Sequence, residues 1–375
     1  MRFVHISDLH IGKRLREASL EADQEHILRS IADIATGVSA DAVLIAGDVY
    51  DTSTPNVDSV RMLDRFLTDL TDRGLEVFLI SGNHDSPERL GFGSRMMERG
   101  HLFVSGVFSG TTDRHTVVRG AEEVDVHLLP FVKPVHVRRL HPDEDIQSYD
   151  DAVRVALSAS DIRDGVPSIL VTHQFVVSGG ASPRLTESET MHVGGTEAVD
   201  VSNFDMFDYV ALGHIHSPQR VGRDTVRYCG TPLKYSKSEA KDGKSVTVVD
   251  VTADGVDITT VPLVPLRDVR VVRGPLEGLI AAGKDDPGRD DLVFAELEDD
   301  AMDAMSRLRE VYPNLLSLEV PRRSPDGSDA DPWDGRTAGP PDTEALFRAF
   351  FLSRTGREPS EAQMDILREC MEAVR

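Results

Sequence analysis

Cysteine is nearly absent: Cys229 and Cys370 are the only two, and they stand far apart in the chain. A disulfide framework is therefore not expected, and a reducing cytoplasm suits the sequence. No apolar run is long enough to cross a bilayer, which argues against a membrane protein. No leader pattern is read either, because the strand-like Arg2-Phe3-Val4-His5-Ile6 follows the first residue directly. Positive charge is also short. Against 64 Asp and Glu there are 41 Lys and Arg, a formal net charge of −23. That balance argues against broad nonspecific affinity for nucleic acid, which depends on Lys and Arg. Part of the excess sits in acidic stretches near 285–303 and 326–344, and inward carboxylates neutralised by metal ions would lower it further. Net charge thus speaks to solubility more than to substrate.

Hydrophobic residues at 40% and aromatics at 6% are those of an ordinary soluble protein. A chain of 375 residues exceeds one small core, so a large domain with one or two smaller ones is expected. The first part alternates strands with amphipathic helices. Met1–Ile6 reads as a strand, and a helix runs from Ala22 to Ala35 with Ile27, Ile31 and Ile34 on one face. Ala42–Ala46 is unbroken apolar sequence, the mark of a strand covered on both faces. Ser53-Thr54-Pro55 marks a helix start, with Val60, Leu63, Leu67 and Leu70 as its stripe, and Glu76–Ile80 is a third strand. From His101 onward strands dominate: Leu102–Val107, His115–Arg119, Val124–Pro130, Ser168–Val171, Tyr209–Leu212, Val226–Cys229, Ser245–Val251 and Val256–Val261. A helix is expected near Tyr149–Ala159, and 178–198 reads as a long surface loop. No internal repeat is found. Pro262 to Pro265 reads as a boundary before a small α/β module, and Pro321 to Pro341 reads as a flexible linker. Beyond it, Leu346, Phe347, Phe350 and Phe351 form one helical stripe and Met364, Leu367 and Met371 a second. Two short helices cannot bury such a stripe alone, so they dock on a partner or on the chain's own body.

Chemistry-bearing residues recur at strand ends. Asp8 and His10 follow the first strand, Asp48 the second, and Asn83 and His84 the third. His173, then His214 and His216, end two later ones. Singly, each has a plain structural alternative: a loop pair, a glycine turn, a hydrogen-bonded core histidine. Five strand ends can converge on one edge of a sheet sandwich, however. They would surround two divalent cations with carboxylate, imidazole and amide groups, a set suited to manganese, iron or zinc better than magnesium alone. Two such ions, roughly 3.5–4 Å apart, activate a water and neutralise a phosphoryl group during in-line attack. Asp48, the sole carboxylate in the middle of the set, is the natural bridge. His84 can stay off the metals and donate a proton to the leaving oxygen. His5 is expected to be structural, and His26, His115, His127, His136, His141 and His192 to lie at the surface.

The ordered set Asp8-x-His10, Gly47-Asp48-x-x-Asp51, Gly82-Asn83-His84-Asp85, His173 and Gly213-His214-x-His216 resembles the motifs of calcineurin-like metallophosphoesterases. His5–Lys13, Gly230-Thr231-Pro232-Leu233 and Ser236-x-Ser238-Glu239 narrow the resemblance to SbcD-type nuclease subunits of bacterial SbcCD complexes, over nearly the whole chain. The resemblance implies an α/β, two-sheet sandwich flanked by helices over 1–265 and a small α/β capping domain over 266–320. It also implies a linker over 321–341 and a C-terminal helix pair over 342–375. By position, Asp8, His10, Asp48 and His216 would hold one metal; Asp48, Asn83, His173 and His214 would hold the other, both expected to be Mn2+. His84 would face the scissile phosphate as the acid, supported by Asp51 and Asp85. Two departures stand out. Position 51 is Asp where archaeal and eukaryotic relatives often carry His, and Lys237 stands where an aromatic residue is expected.

The same resemblance implies that the capping domain selects and positions DNA, and that the helix pair packs on the coiled coil of an SbcC-type ATPase. A homodimer within a heterotetramer is expected, with no membrane association. Lys13, Arg14, Arg16 and Arg89 are candidate phosphate contacts, though each reads more simply as solvated surface charge. The expected function is a metal-dependent DNA exonuclease and endonuclease acting on double-strand ends and hairpins in repair and recombination. A stand-alone phosphodiesterase of small nucleotides shares the metal motifs but needs neither cap nor terminal helices. A non-catalytic scaffold has no chemical reason to keep His84 beside Asn83.

Overall fold

An unbroken apolar run makes a stable strand only where both of its faces are covered. In the computed structural model, both faces are covered at each of the site-bearing strands. The structure describes residues 1–189, 197–299 and 301–320, with isolated positions between 347 and 366. Met1–Val320 forms one compact unit and Pro321–Arg375 a second.

Two six-stranded sheets make the body of the first unit. One runs in the order Gly255–Pro262, Ser245–Thr252, Arg2–Ile6, Ala42–Ala46, Glu76–Ile80, Leu102–Ser105, the last four parallel. The other runs Gln219–Val221, Arg223–Tyr228, Tyr209–Gly213, Ser168–His173, Glu122–Leu129, Asp113–Arg119, with its four central strands parallel. Alternate residues of each strand go to opposite faces. Phe3, Leu44, Phe78 and Ile80 thus meet Val126, Ile169, Val171 and Ala211 between the sheets. Val4, Val43, Ile45 and Leu79 pack outward with Ile27, Ile31, Leu63 and Phe66 from two helices. Leu170, Val210 and Leu212 pack with Val153, Ala156 and Leu157 of the helix Tyr149–Ser158 on the far side. Each such Val, Leu, Ile or Phe side chain contributes about 1.5–3 kcal/mol on burial, and a one-residue slip would exchange the two faces of a strand. Register, and with it the position of every strand end, is therefore strongly fixed.

The helices follow the expected pattern with one correction. Glu21–Gly37 buries Ile27 and Ile31 as expected. The second helix begins at Val57 rather than at Ser53–Pro55, because Asn56 caps it by accepting from Ser59 N at 2.8 Å. Its buried face is Met62, Leu63, Phe66 and Leu70, while Val60 is 46% exposed. Two readings near the second sheet are also corrected. His127 is fully buried, on a strand face against Phe207 at 5.3 Å between rings. The stretch 178–198 is only partly a surface loop: Phe175–Val177 pairs with Ala198–Asp200, and Thr186 is buried.

Between Val269 and Glu319, three parallel strands, Val269–Gly274, Leu292–Leu297 and Leu315–Glu319, carry the helices Leu276–Lys284 and Ala304–Arg309. Leu276, Leu279, Val293, Ala295, Leu308 and Tyr312 form their own core. Lys237 anchors this module to the body, with Nζ 2.8 Å from Glu296 and 2.6 Å from Glu319. An ammonium between two carboxylates is the use found for the unexpected lysine. The linker 321–341, and Leu346, Phe350, Leu367 and Met371 of the two terminal stripes, lie outside the described residues. In the second unit Phe347 and Phe351 meet at 5.8 Å between ring centroids. Among the described residues no helix is long and apolar enough to cross a membrane.

Candidate active site

The parallel strands bring the selected polar residues to one edge. Asp8 and His10 follow Arg2–Ile6, Asp48 follows Ala42–Ala46, and Asn83 and His84 follow Glu76–Ile80. His173 is the last residue of its strand, and His214 and His216 follow Tyr209–Gly213. The connecting backbones are tied to one another: Asp8 N donates to Gly47 O, His10 N to Asp48 O and Ile11 N to Val49 O. Asp8, His10, Asp48 and His214 have φ of 52°, 44°, 47° and 102°, a region that costs a non-glycine residue about 1–3 kcal/mol and recurs at functional sites. Close approach also demands glycine. A Cβ on Gly213 would lie 1.8 Å from Ala46 O, and one on Gly82 would lie 2.1 Å from Asp48 Oδ1.

All seven candidate ligands meet there. His10 Nε2 and His216 Nε2 face each other at 3.2 Å, and both group with Asp8 in a buried triad. Asp48 Oδ2 lies 3.4 Å from His173 Nε2, 3.8 Å from His10 Nε2 and 4.0 Å from His84 Nε2. Asn83 Oδ1 is 3.0 Å from His173 Nε2 and 2.9 Å from His214 Nδ1. His173 Nδ1 donates to Ala46 O at 2.8 Å, so in the neutral ring Nε2 has a lone pair aimed at two oxygens. Lone pairs facing oxygens, and ring nitrogens facing each other, make a site that wants a cation or a proton between them. Aspartate oxygens, imidazole nitrogens and an amide oxygen fit divalent metal ions.

The titration behaviour agrees. Burial alone would raise the Asp48 carboxyl, but the His173, His10 and His84 imidazoles outweigh it and hold it well below the usual carboxylate range. Burial works against the charged His173 ring, yet Asp48 and Asp8 raise it to about 9. Burial holds His216 well below its ordinary value, leaving a neutral imidazole with a lone pair to offer.

Other candidates occupy supporting places. Asp85 accepts from Val49 N, Tyr50 N and Gly82 N at 2.9–3.1 Å, fastening two of the loops. Asp51 Oδ1 is 3.4 Å from His10 Nδ1 and accepts from Lys13 Nζ at 2.7 Å. His84 donates from Nδ1 to Asp51 O at 2.9 Å, which leaves Nε2 toward the cluster. Lys13 is thus committed to Asp51, whereas Arg14, Arg16 and Arg89 are exposed, Arg89 donating to Ser53 O at 3.2 Å.

Residues outside the motif reading also brace the site. Gln24 Nε2 donates to His10 O at 2.7 Å, and Tyr235 OH donates to Leu9 O at 2.5 Å. Ser188 Oγ lies 2.7 Å from His216 Nδ1, and Glu189 accepts from His216 N. Both belong to the stretch read as surface loop. Its Gly-, Ser- and Thr-rich composition concealed them, and the signal available was the downstream Ser236-x-Ser238-Glu239, whose Glu239 accepts from Ser188 Oγ.

Comparison with known proteins agrees with this geometry. Residues 1–218 match the calcineurin-like phosphoesterase family, and 265–355 match the type 5 capsule protein repressor C-terminal domain. Two curated relatives, each named as the SbcD component of the SbcCD nuclease, align over all of this chain. The Staphylococcus epidermidis protein is 29% identical over 99% of its length, and that of Staphylococcus saprophyticus 28% over 98%. Among solved structures, a dimetal phosphatase from Danio rerio is 13% identical, with 69% of this chain and 95% of that one aligned at a TM-score of 0.39. That superposition is loose, and the family assignment rests on the sequence match. With the fold, the convergent Asp/His groups and a family match over more than half its length, the chain belongs to the calcineurin-like phosphoesterases.

Proposed function

We propose that this chain is the nuclease subunit of an SbcCD-type complex, a two-metal-dependent hydrolase of DNA phosphodiester bonds at double-strand ends and hairpins. The observation that carries the metal-dependent chemistry is the pair of ring nitrogens at 3.2 Å, His10 Nε2 and His216 Nε2, beside buried Asp8. The DNA substrate is supported by full-length similarity to two proteins named as SbcD components of the SbcCD nuclease.

In this reading Asp8, His10, Asp48 and His216 hold one divalent cation. Asp48, Asn83, His173 and His214 hold the other, with Mn2+ matching the mixed oxygen and nitrogen donors. Bound there, the cations supply Lewis acidity to the phosphoryl oxygens and lower the pKa of a water. The chain's residues do the rest. Asp48 stands between the two ligand sets, and Asp85 keeps the Asp48 and Asn83 loops together. His84, turned by its bond to the Asp51 carbonyl, delivers a proton from Nε2 to the leaving oxygen. Exposed Arg14, Arg16 and Arg89 contact the DNA backbone, with Lys13 adding to them when it leaves Asp51.

The outer parts give the complex its partners. Residues 266–320 act as a capping domain over the DNA, and the helix pair within 342–375 docks on the coiled coil of an SbcC-type ATPase in the cytoplasm. A second copy of the chain covers the apolar groove lined by Val60, Leu67, Phe92 and Met97, where Phe92 is 82% exposed. Purified protein with Mn2+ is the test. Degradation of linear duplex DNA is expected; hydrolysis confined to small nucleotide esters would overturn the DNA reading, and no phosphodiesterase activity at all would point to a scaffold.

A further inference from the structure

Ser188 is a half-buried hydroxyl whose neighbours leave its proton one direction. Lys244 Nζ lies 2.6 Å from Glu239 Oε2, both side chains being buried, and also donates to Thr231 Oγ1 at 2.7 Å and His216 O at 3.0 Å. A carboxylate in such a pair only accepts. The 2.8 Å bond from Ser188 Oγ to Glu239 Oε1 therefore uses the one hydroxyl hydrogen. Its lone pairs face Thr186 Oγ1 and His216 Nδ1, each at 2.7 Å. With an acceptor at that nitrogen, Nδ1 carries the ring hydrogen and Nε2 keeps a free lone pair. It is Nε2 that faces His10. Glu189 holds the same residue by its backbone N–H, and its other oxygen accepts from Thr186 N at 2.5 Å.

We propose that Ser188, oriented by the Glu239–Lys244 ion pair, is a positioning residue that fixes His216 in the Nδ1–H tautomer and presents Nε2 as a ready metal ligand. The inference rests on the metal-centre reading above and adds to it the group that decides which nitrogen is free. Partners of this kind to a ligating histidine change metal affinity by about 10–100-fold. It also accounts for Ser236-x-Ser238-Glu239, because Ser236 Oγ donates to Glu239 Oε1 at 2.8 Å and Ser238 Oγ accepts from Glu187 N at 2.9 Å. The segment carrying Ser188 is thereby held against the site.

The test uses full-length protein with 15N-labelled histidine, as wild type, Ser188→Ala and Ser188→Thr. Long-range 1H–15N spectra of the metal-free forms read the His216 tautomer, and titration with Mn2+ alone reads affinity. The wild type is expected to show the Nδ1–H pattern. Ser188→Ala should lose it and bind one Mn2+ roughly 10–100-fold more weakly, and Ser188→Thr should restore both. A wild-type tautomer and affinity in Ser188→Ala would overturn the proposal, as would an Nε2–H ring in the wild type. Should the wild type bind no Mn2+ while Ser188→Ala still loses the Nδ1–H pattern, the metal-centre reading falls and the positioning of the ring stands.

Discussion

His84 and Asp48 occupy neighbouring loops yet are set up for different work. Asp48 is buried among imidazoles, whereas His84 is anchored through Nδ1 to Asp51 O and through its backbone N–H to Asp48 Oδ1, with Nε2 farther off, 4.0 Å from Asp48 Oδ2. His84→Ala should therefore leave Mn2+ binding intact and lower turnover by about 10²–10⁴-fold, the usual worth of a general acid; loss of metal from this variant would contradict the assignment. His127 makes a separate prediction about stability. Burial holds its ring at about 4 against an ordinary 6.5, with Asp125 and Asp161 acting to raise it and Arg114 and Arg163 to lower it. The unfolded ring takes up a proton as pH falls through 6.5, and the folded ring only near 4. Stability from this residue is thus fully present above 6.5, is lost progressively between 6.5 and 4, and stays lost below. His127→Phe should flatten the acid limb of the urea midpoint against pH, and an unchanged limb would show that the ring is not held neutral. The two histidines also show what sequence makes legible. His84 stands out because it follows a strand and a glycine turn. His127 sits within a strand, where alternation alone does not say which face the core covers.

At the scale of elements, the site-bearing strands are readable because burial on both faces demands continuous apolar sequence, as in Ala42–Ala46. The second helix is less so. Val60 and Leu67 share a helical period with Leu63 and Leu70, but Met62 and Phe66 complete the buried face and leave Val60 to line an open groove. Its start depends on the Asn56 side chain, so Asn56→Ala should cost about 1 kcal/mol, seen as a lower urea midpoint. An unchanged midpoint would mean that the cap adds nothing. The segment 184–189 was the least legible, because its polar groups are satisfied by residues far along the chain. Arg184 pairs with Asp242, and Glu187 N donates to Ser238 Oγ. No local pattern announces partners at that distance.

For the whole molecule, the net charge of −23 means that the proposed DNA binding would have to draw on local basic residues and on a partner, not on the overall field. Met1–Val320 is a compact unit with its own cores, so truncation at Pro341 should abolish binding to an SbcC-like coiled coil while metal binding persists. A truncated chain that still bound the coiled coil would remove the helix pair from the interface. The fold and the convergence of the candidate ligands were legible because strand ends in parallel sheets share an edge; the proposed partners rest on family likeness alone. The most direct test of the whole account is the number of Mn2+ ions bound per chain at equilibrium dialysis, in the wild type and in Asp48→Ala. Two ions in the wild type and a loss at both sites in Asp48→Ala are predicted, because Asp48 stands between the two ligand sets. A wild type that bound none, or an Asp48→Ala chain that still bound two with unchanged affinity, would contradict it.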